Sequence, residues 1–85
     1  METRVAVISI IVREGDAVEK LNSLLHEASA YIIGRMGIPY REKGISVICV
    51  ALDAPQNTIS ALSGNIGRLP GISTKTVYSD VITRE

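Results

Sequence analysis

Apolar residues run along this chain in two distinct rhythms, separated by short polar breaks. From Val5 to Val12 they are nearly continuous and rich in Val and Ile, bounded by Arg4 and Arg13. Length and β-branching favour a strand over a helix there. Its alternating faces, Val5, Val7, Ser9, Ile11 and Ala6, Ile8, Ile10, Val12, are both largely apolar, as in a strand covered on both sides. Ile45 to Leu52 repeats the pattern, with Val47, Cys49 and Ala51 against Ile48, Val50 and Leu52. These two strands are expected at the centre of a sheet.

Between them the period lengthens to that of a helix. Val18, Leu21, Leu25, Ala28 and Ile32 recur at helical spacing behind a capping-box start at Asp16 and Glu19. The expected helix spans residues 16–30 and leaves His26 on the side opposite the stripe, exposed. A second stripe, Ile59, Leu62, Ile66 and Leu69, follows Asp53 as an Asx cap and Pro55 in the first turn. Gly64 and Gly67 each weaken that helix by about 1 kcal/mol relative to Ala, which points to close packing against the sheet. Pro70-Gly71 ends it.

Residues 31–44, YIIGRMGIPYREKG, carry too many Gly and Pro for a helix, so Tyr31 to Tyr40 reads as a short, irregular strand. Ile72 to Tyr78 alternates as a further strand, and residues 79–85 read as a short extension or a frayed tail. The order β-α-β-β-α-β predicts an α+β, ferredoxin-like fold: a four-stranded antiparallel sheet with two helices on one face. The other face is then left bare although both central strands put apolar residues on it. Sheet-to-sheet or edge-to-edge pairing would cover it, so a homo-oligomer, dimer or tetramer, is expected.

Composition narrows the function classes. Eighty-five residues at 9.1 kDa make one domain spanning 1–85, and 46% apolar residues with a mean hydropathy of +0.24 argue against disorder. Nine basic and nine acidic residues cancel, so direct nucleic-acid binding is not expected. No run reaches the ~20 apolar residues of a membrane span, and METRVAVISIIV lacks the basic start and cleavage site of a signal peptide. A single cysteine, Cys49, cannot pair within the chain, which fits a reducing, cytoplasmic setting.

Candidate chemistry is sparse. Nucleophilic catalysis needs a nucleophile, a base and an orienting group. The one thiol sits mid-strand, where a small core residue is the simpler reading, and the one imidazole, His26, is on a solvated helix face. No enzyme and no cofactor are expected. A transition-metal site would need more His or Cys ligands than the chain offers; His26 is a weak candidate for a metal shared between subunits. Arg35, Tyr40 and Arg41 stand around a glycine-bearing segment, where two guanidiniums and a phenol suit a carboxylate or phosphate. The turn Arg13-Glu14-Gly15-Asp16 is a second place where backbone amides at a helix start favour an anion.

The stretch ISVICVALDAPQNTISALSGNIGRLPGISTKTVYS, with its stripe ending at Leu69-Pro70-Gly71-Ile72, resembles the second half of an ACT-like domain. It is also similar to the ligand-sensing C-terminal domain of the nickel-responsive repressor. With YIIGRMGIPYREKG included, nearly the whole chain resembles the small ACT-like proteins described as regulators of the iron-only hydrogenase system. That resemblance implies a regulatory domain, with transcriptional regulation of a hydrogenase system as its setting. The repressor's nickel ligands, three histidines and a cysteine, fall near His26, Ile38, Tyr40 and Ser46. Three of those positions cannot replace their ligand, and the repressor's ribbon-helix-helix arm has no counterpart. ACT domains bind amino acids or related molecules between paired domains near the first strand-to-helix turn, which carries Gly15 and Asp16 over as ligand contacts.

The expectation is therefore a cytoplasmic, oligomeric regulatory domain. It would take a small anionic or zwitterionic effector between subunits, with Gly15, Asp16, Arg35, Tyr40 and Arg41 as candidate contacts and a partner protein as the output. The alternatives are an interaction module without a ligand, or a metal sensor with an altered site at His26.

Overall fold

The computed structural model describes residues 1–13 and 17–84. Along them run β1 (Glu2–Arg13), α1 (Ala17–Glu27), β2 (Ile32–Tyr40), β3 (Ile45–Ala54), α2 (Gln56–Gly67) and β4 (Ile72–Arg84). Single 3₁₀ turns at Ser29–Tyr31 and Arg41–Lys43 lead into and out of β2. The strands form one antiparallel sheet in the order β2-β3-β1-β4, so the two doubly apolar strands are central. This is the βαββαβ arrangement expected.

Both helices pack on one face. Ala6, Ile8, Ile10 and Val12 of β1 and Val50, Leu52 and Ala54 of β3 meet Leu21 and Leu25 of α1 and Ile59, Leu62 and Ile66 of α2. All these side chains are buried, and no polar or charged residue is buried among the described residues. At about 1.5–3 kcal/mol for each fully buried aliphatic side chain, this layer is the main stabilising term. Val18, expected in the α1 stripe, is instead 40% exposed. Helix α1 also ends at Glu27 rather than 30, where Ala28 N donates to Leu24 O and Tyr31 N closes a tighter turn on Ala28 O.

Helix α2 begins on Pro55, whose carbonyl accepts from Thr58 N and Ile59 N. Asp53 does not cap it. Strand β3 runs through Ala54, which holds Asp53 in the sheet two residues short of the cap position. Gly67 does sit close to the sheet: a Cβ there would lie 3.4 Å from Thr74 Cγ2. Gly64 has open space and permits no close approach. At the end of the α2–β4 turn Gly71 has a φ of 74°, a conformation in which other residues are strained.

Beyond Tyr78, β4 does not fray. It pairs with the first residues of β1 as far as Glu2↔Arg84, after a register fault in which Arg4 to Ala6 faces Ile82 to Tyr78. The Ser79 hydroxyl bridges this fault, donating to Val5 O at 2.7 Å and accepting from Val81 N at 3.1 Å. Thirteen extended residues at ~3.4 Å each reach ~44 Å, and the molecule measures 45 × 18 × 17 Å.

Candidate functional site

The face of the sheet away from the helices is built by register. Reading from β2 to β4, Gly34, Ala51, Val7 and Val77 share one row, Met36, Cys49, Ser9 and Lys75 the next, and Ile38, Val47, Ile11 and Ser73 a third. Tyr40, Ile45 and Arg13 close one end, and Asp53 with Val5 the other. Val77, Met36, Ile38, Ile11, Tyr40 and Val7 are exposed, from 65% down to 38%. Cys49 is half-buried in the middle of this face, so the reading of it as a core residue is corrected. Alternation puts it on the side opposite Val50, and nothing among the described residues covers that side.

Arg35 and Tyr40 do not converge. A one-residue bulge at Ile33, between the pairs Ile32↔Leu52 and Gly34↔Ala51, turns Arg35 to the helix side opposite buried Val50. There its Nη2 donates to Asn22 Oδ1 of α1 at 3.3 Å. Tyr40 lies on the open side, its hydroxyl donating to Glu42 Oε2 at 3.3 Å. Arg41 is exposed in the turn after β2. Gly15 and Asp16, together with Glu14, lie outside the described residues. His26 is exposed as expected, and among the described residues no group of three or more His, Cys, Asp or Glu gathers as a metal shell.

Shallow concavities dent both faces among the described residues. Two lie along the groove between α1 and α2: about 380 Å³ lined by Leu24, Glu27, Tyr31, Asn57 and Asn65, and about 460 Å³ lined by Lys20, Ser23, Leu24 and Leu69. The sequence signal for the first is the i, i+4, i+8 stripe Asn57, Ala61, Asn65, which carries no charge. Two more, of about 290 Å³ and 400 Å³, dent the open face at Met36, Cys49 and Val7 and at Ser9, Ile11 and Lys75.

Residues 4–76 match the family TM1266-like, "Iron-only hydrogenase system regulator, putative". The chain belongs to that family. The uncharacterized protein TM1266 from Thermotoga maritima is 36% identical, superposes with a TM-score of 0.87, and the alignment covers 89% of this chain and 96% of that one. At lower identity the fold recurs in the ACT domain of a GTP pyrophosphokinase from Chlorobium tepidum (11%, TM-score 0.70, 88% and 99% covered). It recurs also in 28% of a formyltetrahydrofolate deformylase chain from Pseudomonas putida KT2440, at 13% identity over 86% of this chain with a TM-score of 0.63. No curated protein matches. Membership of the TM1266-like family supports a regulatory domain, and the ACT-like neighbours share its fold. No helix of the described residues is long and apolar enough to cross a membrane.

Proposed function

We propose that this chain is a cytoplasmic regulatory domain of an iron-only hydrogenase system that acts as a homo-oligomer, a dimer or a tetramer. A small anionic or zwitterionic effector binds between its subunits and biases either the assembly state or the affinity for a partner protein. The observation that carries the reading is the open face: three consecutive rows of side chains, mostly apolar, with no covering layer among the described residues. A contiguous apolar patch of this kind marks an interaction surface. The description of the TM1266-like family supports the regulatory setting. With a net charge of zero, transcriptional control passes through the partner protein rather than through direct contact with DNA.

Native mass spectrometry of the untagged protein tests this directly. A dimer or tetramer carrying added small-molecule mass supports the effector reading, and a clean monomer overturns it. A ligand-free oligomer favours a second reading, an interaction module without an effector. One observation stands behind that alternative: Arg35 and Tyr40 point to opposite faces of β2, so a single protomer does not bring them together. A thermal-shift screen of amino acids and small carboxylates separates the two readings. A hit that Arg35→Ala abolishes selects the effector.

A further inference from the structure

The two ends of the open face carry opposite charges. Cys49 pairs with Ser9, and this row lies four residues from each end along both central strands: Val5 and Asp53 at one end, Arg13 and Ile45 at the other. Arg13 is exposed and forms no side-chain hydrogen bond or ion pair among the described residues. Asp53 stands on the same face with its Oδ1 withdrawn from water and without a hydrogen-bond partner among the described residues. A carboxylate in that position gains from a cation brought to it.

We infer that the open face is the contact between two copies of this chain, packed sheet on sheet about a two-fold axis that crosses the strands at the Cys49–Ser9 row. This rests on the oligomeric part of the function proposed above. Such an axis leaves each strand over its own counterpart and exchanges the ends of the face. Arg13 then stands above Val5 of the partner subunit, one strand spacing (~4.8 Å) from Asp53 of the partner subunit, with the sheets ~10 Å apart. That is within reach of a guanidinium on its long stem. The symmetry makes the pair twice, so both ends of the interface are closed by the same contact.

The rows on either side of the axis are apolar over the three inner strands. Ile38, Val47 and Ile11 of one copy cover the row of Gly34, Ala51 and Val7 on the other, large side chains over small ones. Lys75 shares the central row but lies on β4, at the sheet edge. The axis sets it over Lys75 of the partner subunit, and there sheet twist splays the two layers so that both ammoniums reach water, apart from each other, while their stems lie on the apolar surface. Four strands at ~4.8 Å and eight residues at ~3.4 Å give a footprint on the order of 500 Å² per copy. Two copies bury on the order of 1,000 Å², which meets the threshold for a specific interface.

The axis places the two Cys49 thiols face to face inside the closed interface, so their protection from a thiol reagent reads the geometry without altering the protein. Alkylation of Cys49 by a maleimide is expected to slow about tenfold or more as the protein concentration rises through the dimerisation range, with the unlabelled Cys49→Ser chain as the blank. In sedimentation velocity, Arg13→Asp and Asp53→Arg are each expected to weaken the dimer about tenfold or more, since each sets like charges together. The double exchange is expected to restore it to within about threefold of wild type. A dimer whose Cys49 reacts as fast as in the monomer overturns this interface and moves the contact to a helix or an edge strand, leaving the oligomeric reading intact. A monomer at all concentrations sinks both. Because the protection assay uses the unmodified chain, a variant that fails to fold does not remove the test.

Discussion

Ser63 of α2 and Thr76 of β4 share a hydrogen bond of 2.7 Å between their hydroxyls in a half-buried seam. Around it, Ser60 meets the Tyr78 hydroxyl at 3.3 Å, and Gly67 stands against Thr74. The second helix is therefore joined to the outer strand by hydroxyls and small residues, in contrast to the aliphatic layer over β1 and β3.

That seam makes a non-additive prediction. Either Ser63→Ala or Thr76→Val leaves one hydroxyl without its partner and is expected to cost about 1 kcal/mol. The double variant removes both polar groups and is expected to cost less than the sum of the two. Urea denaturation of the four proteins measures the cycle. Strict additivity would mean the two hydroxyls do not act as a pair.

The two glycines of α2 are expected to respond differently to the same substitution. At Gly64 a Cβ meets nothing within 4 Å, so Gly64→Ala should stabilise by about 0.5–1 kcal/mol through helix propensity. At Gly67 the new methyl presses on Thr74 Cγ2, and the gain should be smaller or reversed. Thermal melts of both variants compare them, and a larger gain at Gly67 than at Gly64 would contradict the packing described.

The two faces of the sheet should separate stability from assembly. Ile8 is fully buried beneath the helices, and Ile8→Ala is expected to cost about 2–5 kcal/mol of folding stability. Ile38 is 51% exposed on the open face. Ile38→Asp is expected to leave the circular dichroism spectrum of the fold unchanged while shifting sedimentation toward the monomer. Loss of secondary structure in Ile38→Asp would mean that the open face is part of the folding core.

Gly71 turns the chain into β4 at a φ of 74°. Gly71→Ala is expected to destabilise by about 1 kcal/mol, although the space near Arg13 Cβ, 3.6 Å from the added carbon, admits a methyl. Chemical denaturation tests it, and an unchanged midpoint would show that the turn relaxes.

Much of this architecture is legible in the residue pattern. The apolar runs around Ile8 and Val50 carry their strand character locally, and the stripe Ile59, Leu62, Ile66 has one period throughout. Val18 misleads because its spacing fits the stripe, yet the folded helix leaves it 40% exposed. The far end of β4 is not legible, since residues 79–84 are ordered by pairing with Glu2 to Arg4, more than seventy positions away. Asp53 has the chemistry of a cap, but its place is decided by where β3 stops. Of the candidate site, the divergence of Arg35 and Tyr40 was available from counting: an odd separation along one strand puts two residues on opposite faces. The bulge at Ile33, which decides which face each takes, depends on pairing with β3.

The fault bridged by Ser79 behaves like an expansion joint. A residue added among positions 79–81 would be absorbed where β1 and β4 already disagree in length, and Val77 and Lys75 would keep their orientation. The same insertion between Ile72 and Tyr78 would turn every side chain between it and the joint onto the other side of the sheet. Length variation among related chains should therefore collect at this point of the outer strand, where two hydrogen bonds from one hydroxyl keep the slack from spreading.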